Sequence, residues 1–409
     1  MEADHDQGGG LVGRRGFLRR VLAGAGVGAL GPLSGRAQLP EPSAGKREGT
    51  GADPTGPRVI LIRFGGGVRR REAIVPEHTF APFLCRNLAS RGSLFPRMII
   101  DQQEGLNTSH GEGTLNLLTG RYDRYQDIQN GFLKARFEPK VPTLFEYFRK
   151  NFRVAPHETL IVNGEDRPDE EFYTFSNHAG YGIDFRSSVL SLYRFKRWLY
   201  ERQLADGRLT EAQRRDRLDQ LRKWEQADPR SRAHGDPGPA LSGFWARWQE
   251  HYGESGLVHP RGDRLLTTLA LRALKELKPR LMMVNYNDCD YVHWGYLSHY
   301  TTGISIMDEG IRELVGAVES DPEYRENTVF VIVPDCGRDT NPMSAVPCQH
   351  HFNSKSSHEI FALLMGAGIA RGRVVDKEVQ QIDIAPTVGR LMGFRVDHAE
   401  GRVLEEAWA

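Results

Sequence analysis

Cysteine, with histidine, aspartate or both beside it, recurs in three short stretches of this chain. They are Asn287-Asp288-Cys289-Asp290-Tyr291-Val292-His293, Pro334-Asp335-Cys336-Gly337-Arg338-Asp339 and Cys348-Gln349-His350-His351. Thiolate, imidazole and carboxylate are the ligand types of zinc and similar divalent ions. Each stretch alone has an ordinary reading. His293 suits a hydrogen-bonded core histidine, and of the neighbours His350 and His351 at most one is expected to ligate. Their recurrence at separate places along the chain points to one shared site for a divalent transition metal, zinc first, with one or two ions. His299 and His358 are expected to be structural, and Cys85 a buried small hydrophobe.

Two of these stretches directly follow apolar runs, over 281–286 and 328–333, that suit buried strands. A third such run, over 58–64, ends in Gly65-Gly66-Gly67. In open α/β sheets, sites are built at the carboxyl ends of the strands. Arg63, Gly65 and Gly66 are therefore candidate contacts for an anionic substrate, although a bare glycine run is a weak signal. Further strands are expected over 98–101, 160–162 and 360–365, and helices over 80–90, 112–118, 143–152, 262–277, 300–319 and 383–392. This alternation places the chain in the α/β class: a mainly parallel, doubly wound sheet with helices on both faces. Residues 186–250 differ, being dense in Arg, Leu, Gln and Glu over 194–224, and read as a helical insertion over the sheet.

With 54 Lys+Arg against 53 Asp+Glu, charge offers no case for a nucleic-acid partner. The run Arg69-Arg70-Arg71 fits a solvated surface segment as well as an anion contact. Near the start, Gly13-Arg14-Arg15-Gly16-Phe17-Leu18 has the twin-arginine layout. An Ala/Gly-rich apolar run follows over 21–33, then small residues at Gly35 and Ala37. Basic, apolar, small is the order of a signal peptide, and the run is too short to span a bilayer. The expectation is a twin-arginine signal over 1–37, a Pro/Gly/Ser-rich linker over 38–57 and one α/β domain over 58–409. The twin-arginine translocase would then be a transient partner, the destination periplasmic or secreted, and no integral membrane segment remains in the mature chain. Four cysteines in an oxidising compartment permit disulfides.

Several of these stretches together resemble the alkaline-phosphatase superfamily, which includes sulfatases and nucleotide phosphodiesterases. They are 59–66, Leu117-Leu118-Thr119-Gly120-Arg121-Tyr122, 290–295 with the helix after it, 331–337, and the ending Gln381-Ile382-Asp383-Ile384-Ala385-Pro386-Thr387-Val388. The resemblance spans 58–394 in order, apart from the insertion, and is nearest to the twin-arginine-exported, sulfatase-like branch. It implies an alkaline-phosphatase-like fold, a small anionic ester as substrate or ligand, and two metal ions at the carboxyl edge of the sheet. On that pattern one ion falls to Cys289, His293 and His351, with Asp290 or Asp288 supplying the carboxylate if the loop register shifts. The second ion falls to His110, at the nucleophile position, with Asp335 and Cys336, while Gly65 stands where an Asp is usual. The site is thus substituted at Gly65, His110, Cys289 and Cys336.

Three readings follow. Both ions persist on softer ligands, and a water activated by metal attacks a phosphate or sulfate ester, with His110 as ligand, base or phosphoryl acceptor and Thr108 and Ser109 as nearby hydroxyls. Alternatively, one ion remains and the domain binds a ligand without hydrolysing it. In the third, the site is inactive and Cys289–Cys336 or Cys336–Cys348 is a disulfide.

Overall fold

The computed structural model describes residues 53–101, 108–122, 126–127, 137–163, 173–227, 237–253, 262–293, 295–339, 341, 343–350 and 354–408. The signal expected over 1–37, most of the linker and the candidate ligand His351 lie outside the described residues.

The run Arg-Val-Ile-Leu-Ile-Arg forms strand β1 (Arg58–Arg63), and every residue in it is buried. Its side chains alternate between two apolar layers, as a pleated strand requires. Ile60 and Ile62 face one cluster, Val59 and Leu61 the other. Around β1 lie β2 (Ser93–Ile99), β3 (Thr159–Asn163), β4 (Ser188–Leu190), β5 (Leu281–Asn285), β6 (Thr328–Val333), β7 (Glu359–Gly366), β8 (Arg373–Val374) and β9 (Val379–Gln380). The sheet order is β8-β2-β7-β6-β1-β5-β3-β4, with β9 also on β2. β1 pairs in parallel with β5 and β6, so their three carboxyl ends finish side by side. β7 runs antiparallel to both its neighbours and is the departure from a purely parallel sheet.

The Val59/Leu61 face is covered by α1 (His110–Thr119), α2 (Leu144–Phe152) and, near the end of the chain, Ile384–Met392. Asp263–Glu276 and Leu297–Ser320 cover the other face. α1 starts at Ser109, whose hydroxyl accepts the Glu112 N–H, and stops at Gly120, where φ is 72°. Cap and left-handed glycine fix both ends of the helix that carries His110.

The region expected as an insertion over 186–250 is joined to the main core. It begins as edge strand β4, and its helices bury Phe195, Phe244, Trp245 and Trp248 in the same cluster as Ile60 and Ile62. The helical stretch expected over 194–224 is two helices, Leu192–Ala205 and Glu211–Ala227, separated near Gly207 with φ 66°. The helix expected over 80–90 is wound more loosely, as a π-turn over Phe83–Leu88. The Asp308 carboxylate accepts the Phe83 and Leu84 N–H groups at 2.9 and 2.8 Å. Among the described residues no helix is long and apolar enough to cross a membrane.

Candidate metal centre

The loop after β5 makes a 3-10 turn over Asp288–Asp290, and such a turn sends successive side chains about 120° apart. Asp288 Oδ2 accepts the N–H of Asp263, which opens the helix Asp263–Glu276. Asp263 in return accepts the N–H groups of Asn287 and Asp288 at 3.0 and 2.9 Å. Burial, with the Asp288 charge beside it, pushes the Asp263 carboxyl upward. Cys289, expected beside His293 as a ligand, is instead turned into the core. Its Sγ lies 3.6 Å from the Tyr300 carbonyl oxygen and fills the space against Gly303, where a Cβ would meet it at 3.0 Å. The third side chain, Asp290, enters the site. The one-residue register shift is a consequence of the tight turn.

Asp290 Oδ1 gathers three imidazoles: Nε2 of His293 at 2.8 Å, Nε2 of His110 at 2.8 Å and Nε2 of His350 at 3.3 Å. Burial works against its charge, but His110 and the hydrogen bonds from the three rings hold its carboxyl well below the usual carboxylate range. Of the neighbours at 350 and 351, His350 is fully buried in the site. Its Nδ1 faces the Thr108 carbonyl oxygen at 2.8 Å, which turns Nε2 toward Asp290. A carbonyl on the far ring nitrogen is the arrangement that orients metal-ligating histidines. Asp290, His293 and His350 each place one ligand atom within 4.8 Å of the others.

His110, at the N-terminus of α1, is held from both sides. Nδ1 lies 2.7 Å from Asp335 Oδ2 and Nε2 points to Asp290. Burial lowers its pKa, but the two carboxylates more than reverse this and raise it well above the ordinary value. Both ring nitrogens then donate, which leaves no lone pair for attack on an ester. Its hydroxyl neighbours are also engaged: Thr108 donates to the His350 carbonyl, and Ser109 caps α1.

Asp335 is fully buried. Oδ2 faces Arg63 Nη1 at 3.3 Å as well as His110, while Oδ1 accepts the N–H groups of Gly67 at 3.3 Å and Cys336 at 2.8 Å. His110 and Arg63 outweigh burial and push the Asp335 carboxyl far down. Cys336 Sγ sits 3.8 Å from His110 Nδ1, and its thiol is pushed up to about 11 by burial and by Asp335. His110, Cys336 and His350 form a second possible ligand group that shares His350 with the first. All four cysteines are free, so neither Cys289–Cys336 nor Cys336–Cys348 is joined.

The residues expected to contact substrate serve the interior. Arg63 is 2% exposed and donates to Thr114 Oγ1, the Tyr286 carbonyl and Asn287 Oδ1. A Cβ on Gly65 would stand 2.2 Å from the Tyr286 carbonyl oxygen. Gly66 and Gly67 (φ 83° and 71°) turn their N–H groups onto Asp335, so this nest holds a carboxylate of the protein itself. Arg69 and Arg70 are paired with Glu72 and Glu359. Arg338, to which the sequence alone gave no role, is buried and ties Gly67, Cys289 and Cys348 carbonyls together, with Nη2 3.6 Å from Asp290. Only its position three residues after Asp335 hinted at this.

No family model matches the chain, and no curated protein matches it. Solved structures do. A mutant of the alkaline phosphatase PafA superposes with a TM-score of 0.55 at 10% identity, over 87% of this chain and 99% of that one. A putative sulfatase from Bacteroides thetaiotaomicron gives 0.53 at 13%, over 85% and 74%. An alkaline phosphatase superfamily protein from Vibrio parahaemolyticus gives 0.51 at 14%, over 88% and 72%. At these identities the likeness is one of fold: a mostly parallel nine-stranded sheet flanked by helices, of the alkaline-phosphatase-like type.

Proposed function

We propose that this chain is an exported metal-dependent hydrolase of phosphate or sulfate esters, with one transition-metal ion, zinc first, on Asp290, His293 and His350. The observation that carries this reading is the convergence of three imidazoles on one Asp290 oxygen at the carboxyl edge of the sheet. A carboxylate and two histidines are a common three-ligand set for a catalytic zinc, with a position left for substrate. Such an ion supplies Lewis acidity, polarising an ester oxygen and making a coordinated water more acidic. The chain's own residues do the rest. His350 is oriented by Thr108, and Asp290 keeps its charge. His110 carries a proton on Nε2 and acts as an acid toward a leaving-group oxygen, not as the nucleophile its position suggests. The alkaline phosphatase and the putative sulfatase among the similar structures favour a phosphate or sulfate ester.

A second reading, a metal-holding module that binds its ligand without hydrolysis, is favoured by one observation: Thr108, Ser109 and His110 offer no free nucleophile. Purified, zinc-loaded protein assayed on aryl phosphates and aryl sulfates separates the two. Turnover that disappears in Asp290→Asn supports hydrolysis. Bound zinc with no turnover on either ester supports the binding module. Protein that folds and holds no metal removes both.

A further inference from the structure

Arg63 is a buried, permanently charged side chain that stands 3.3 Å from the Asp335 carboxylate, and this pairing bears on metal content. Resting on the metal reading above, we propose that the Arg63 guanidinium occupies the electrostatic role of a second ion, so the chain binds one metal ion and excludes another from His110, Asp335 and Cys336.

The coordination capacity of Asp335 is already used. Oδ2 meets Arg63 Nη1 at 3.3 Å, His110 Nδ1 at 2.7 Å and the Gly66 N–H at 3.4 Å; Oδ1 takes the Gly67 and Cys336 N–H groups. Arg63 is fixed by hydrogen bonds to Thr114, Tyr286 and Asn287 at 2.9, 3.1 and 3.1 Å, so it cannot swing aside without leaving a buried charge unpaired. It also guards position 65. A Cβ there would stand 2.2 Å from the Tyr286 oxygen and 2.9 Å from Arg63 Nε, so neither the backbone nor the guanidinium leaves room for an added carboxylate. A dication beside Asp335 would face a fixed cation 3.3 Å from the same carboxylate oxygen. The Asp290 carboxylate is less enclosed: its side chain is 24% exposed against 0% for Asp335, and Arg338, 3.6 Å from it, also donates to the Gly67 and Cys289 carbonyls.

Native mass spectrometry of the full mature chain, saturated with zinc and desalted, counts the ions. The expected result is one zinc per chain, none in Asp290→Asn and still one in Asp335→Asn and Arg63→Lys. Arg63→Met, which removes the charge and keeps the bulk, is expected to take up a second zinc at least tenfold more tightly than wild type does. Circular dichroism establishes that each variant is folded. Two zinc ions in wild type, of which Asp290→Asn keeps one, would overturn the exclusion while leaving the metal site intact. Loss of the single zinc in Asp335→Asn would overturn it too, and that variant stands even if Arg63→Met does not fold. Folded Arg63→Met with one zinc would mean that Arg63 is not the barrier. No zinc in wild type would remove the metal reading and this inference together.

Discussion

His293 Nε2 lies 2.8 Å from Oδ1 of Asp290, three residues before it, and the same oxygen faces His350 Nε2 at 3.3 Å. Cys289, one residue earlier in the same turn, points the other way. Metal content should follow this division. Asp290→Asn is expected to weaken zinc binding by more than about 100-fold, beyond what loss of an outer partner usually costs. Cys289→Ala should retain full zinc content by elemental analysis and lose only about 1 kcal/mol of stability to a small cavity. Zinc loss in Cys289→Ala would restore the thiolate as a ligand.

His110 links two carboxylates that would otherwise repel one another. His110→Ala is expected to destabilise the metal-free chain by about 3 kcal/mol, the scale of breaking a buried ion pair. It should also lower kcat by about 100-fold or more if the imidazolium is the acid. Chemical denaturation measures the first effect and steady-state kinetics on an aryl ester the second. Unchanged turnover would remove His110 from the chemistry.

Much of this was legible in the sequence. The apolar runs at 58–63, 281–285 and 328–333 are strands whose shared carboxyl edge carries the polar stretches, because a buried parallel strand leaves a plain signature. The choice between Cys289 and Asp290 was not legible, since a tight turn and an extended loop aim neighbouring side chains differently and their sequences look alike. Arg63 misled for a similar reason: an arginine at a strand end reads as a substrate contact, and its burial against Thr114, Tyr286, Asn287 and Asp335 shows it to be internal. The region over 186–250 reads as an insertion over the sheet, but which aromatics enter the main core, Phe195, Phe244, Trp245 and Trp248, was not legible, because a helix buried against a sheet and one buried against its own neighbours have the same apolar pattern.

Glu112 reports on the α1 terminus through pH. Burial raises its carboxyl from 4.5 to about 7, against the opposing hydrogen bond of the Ser109 hydroxyl. The folded chain therefore holds this proton more tightly than the unfolded chain does. The resulting stabilisation is full below about pH 4.5 and is lost as pH rises through 7. Its upper bound is about 3 kcal/mol, reduced by residual solvent screening. Glu112→Gln should flatten this part of the stability curve in urea titrations between pH 4.5 and 8. An unchanged slope would mean that Glu112 ionises normally.

Export is predicted to depend on Arg14 and Arg15. In a host with an active twin-arginine system, the chain should be recovered from the periplasm, processed near Ala37. Replacing both arginines with lysine should leave the precursor in the cytoplasm, as seen by fractionation and immunoblotting. Periplasmic recovery of that variant would contradict a twin-arginine signal.

X-ray absorption at the zinc edge tests the central claim most directly. With Asp290, His293 and His350 as ligands, zinc-loaded protein should show a shell of nitrogen and oxygen at about 2.0–2.1 Å and no sulfur. A sulfur shell at about 2.3 Å would contradict the account, because it would put Cys289 or Cys336 on the metal.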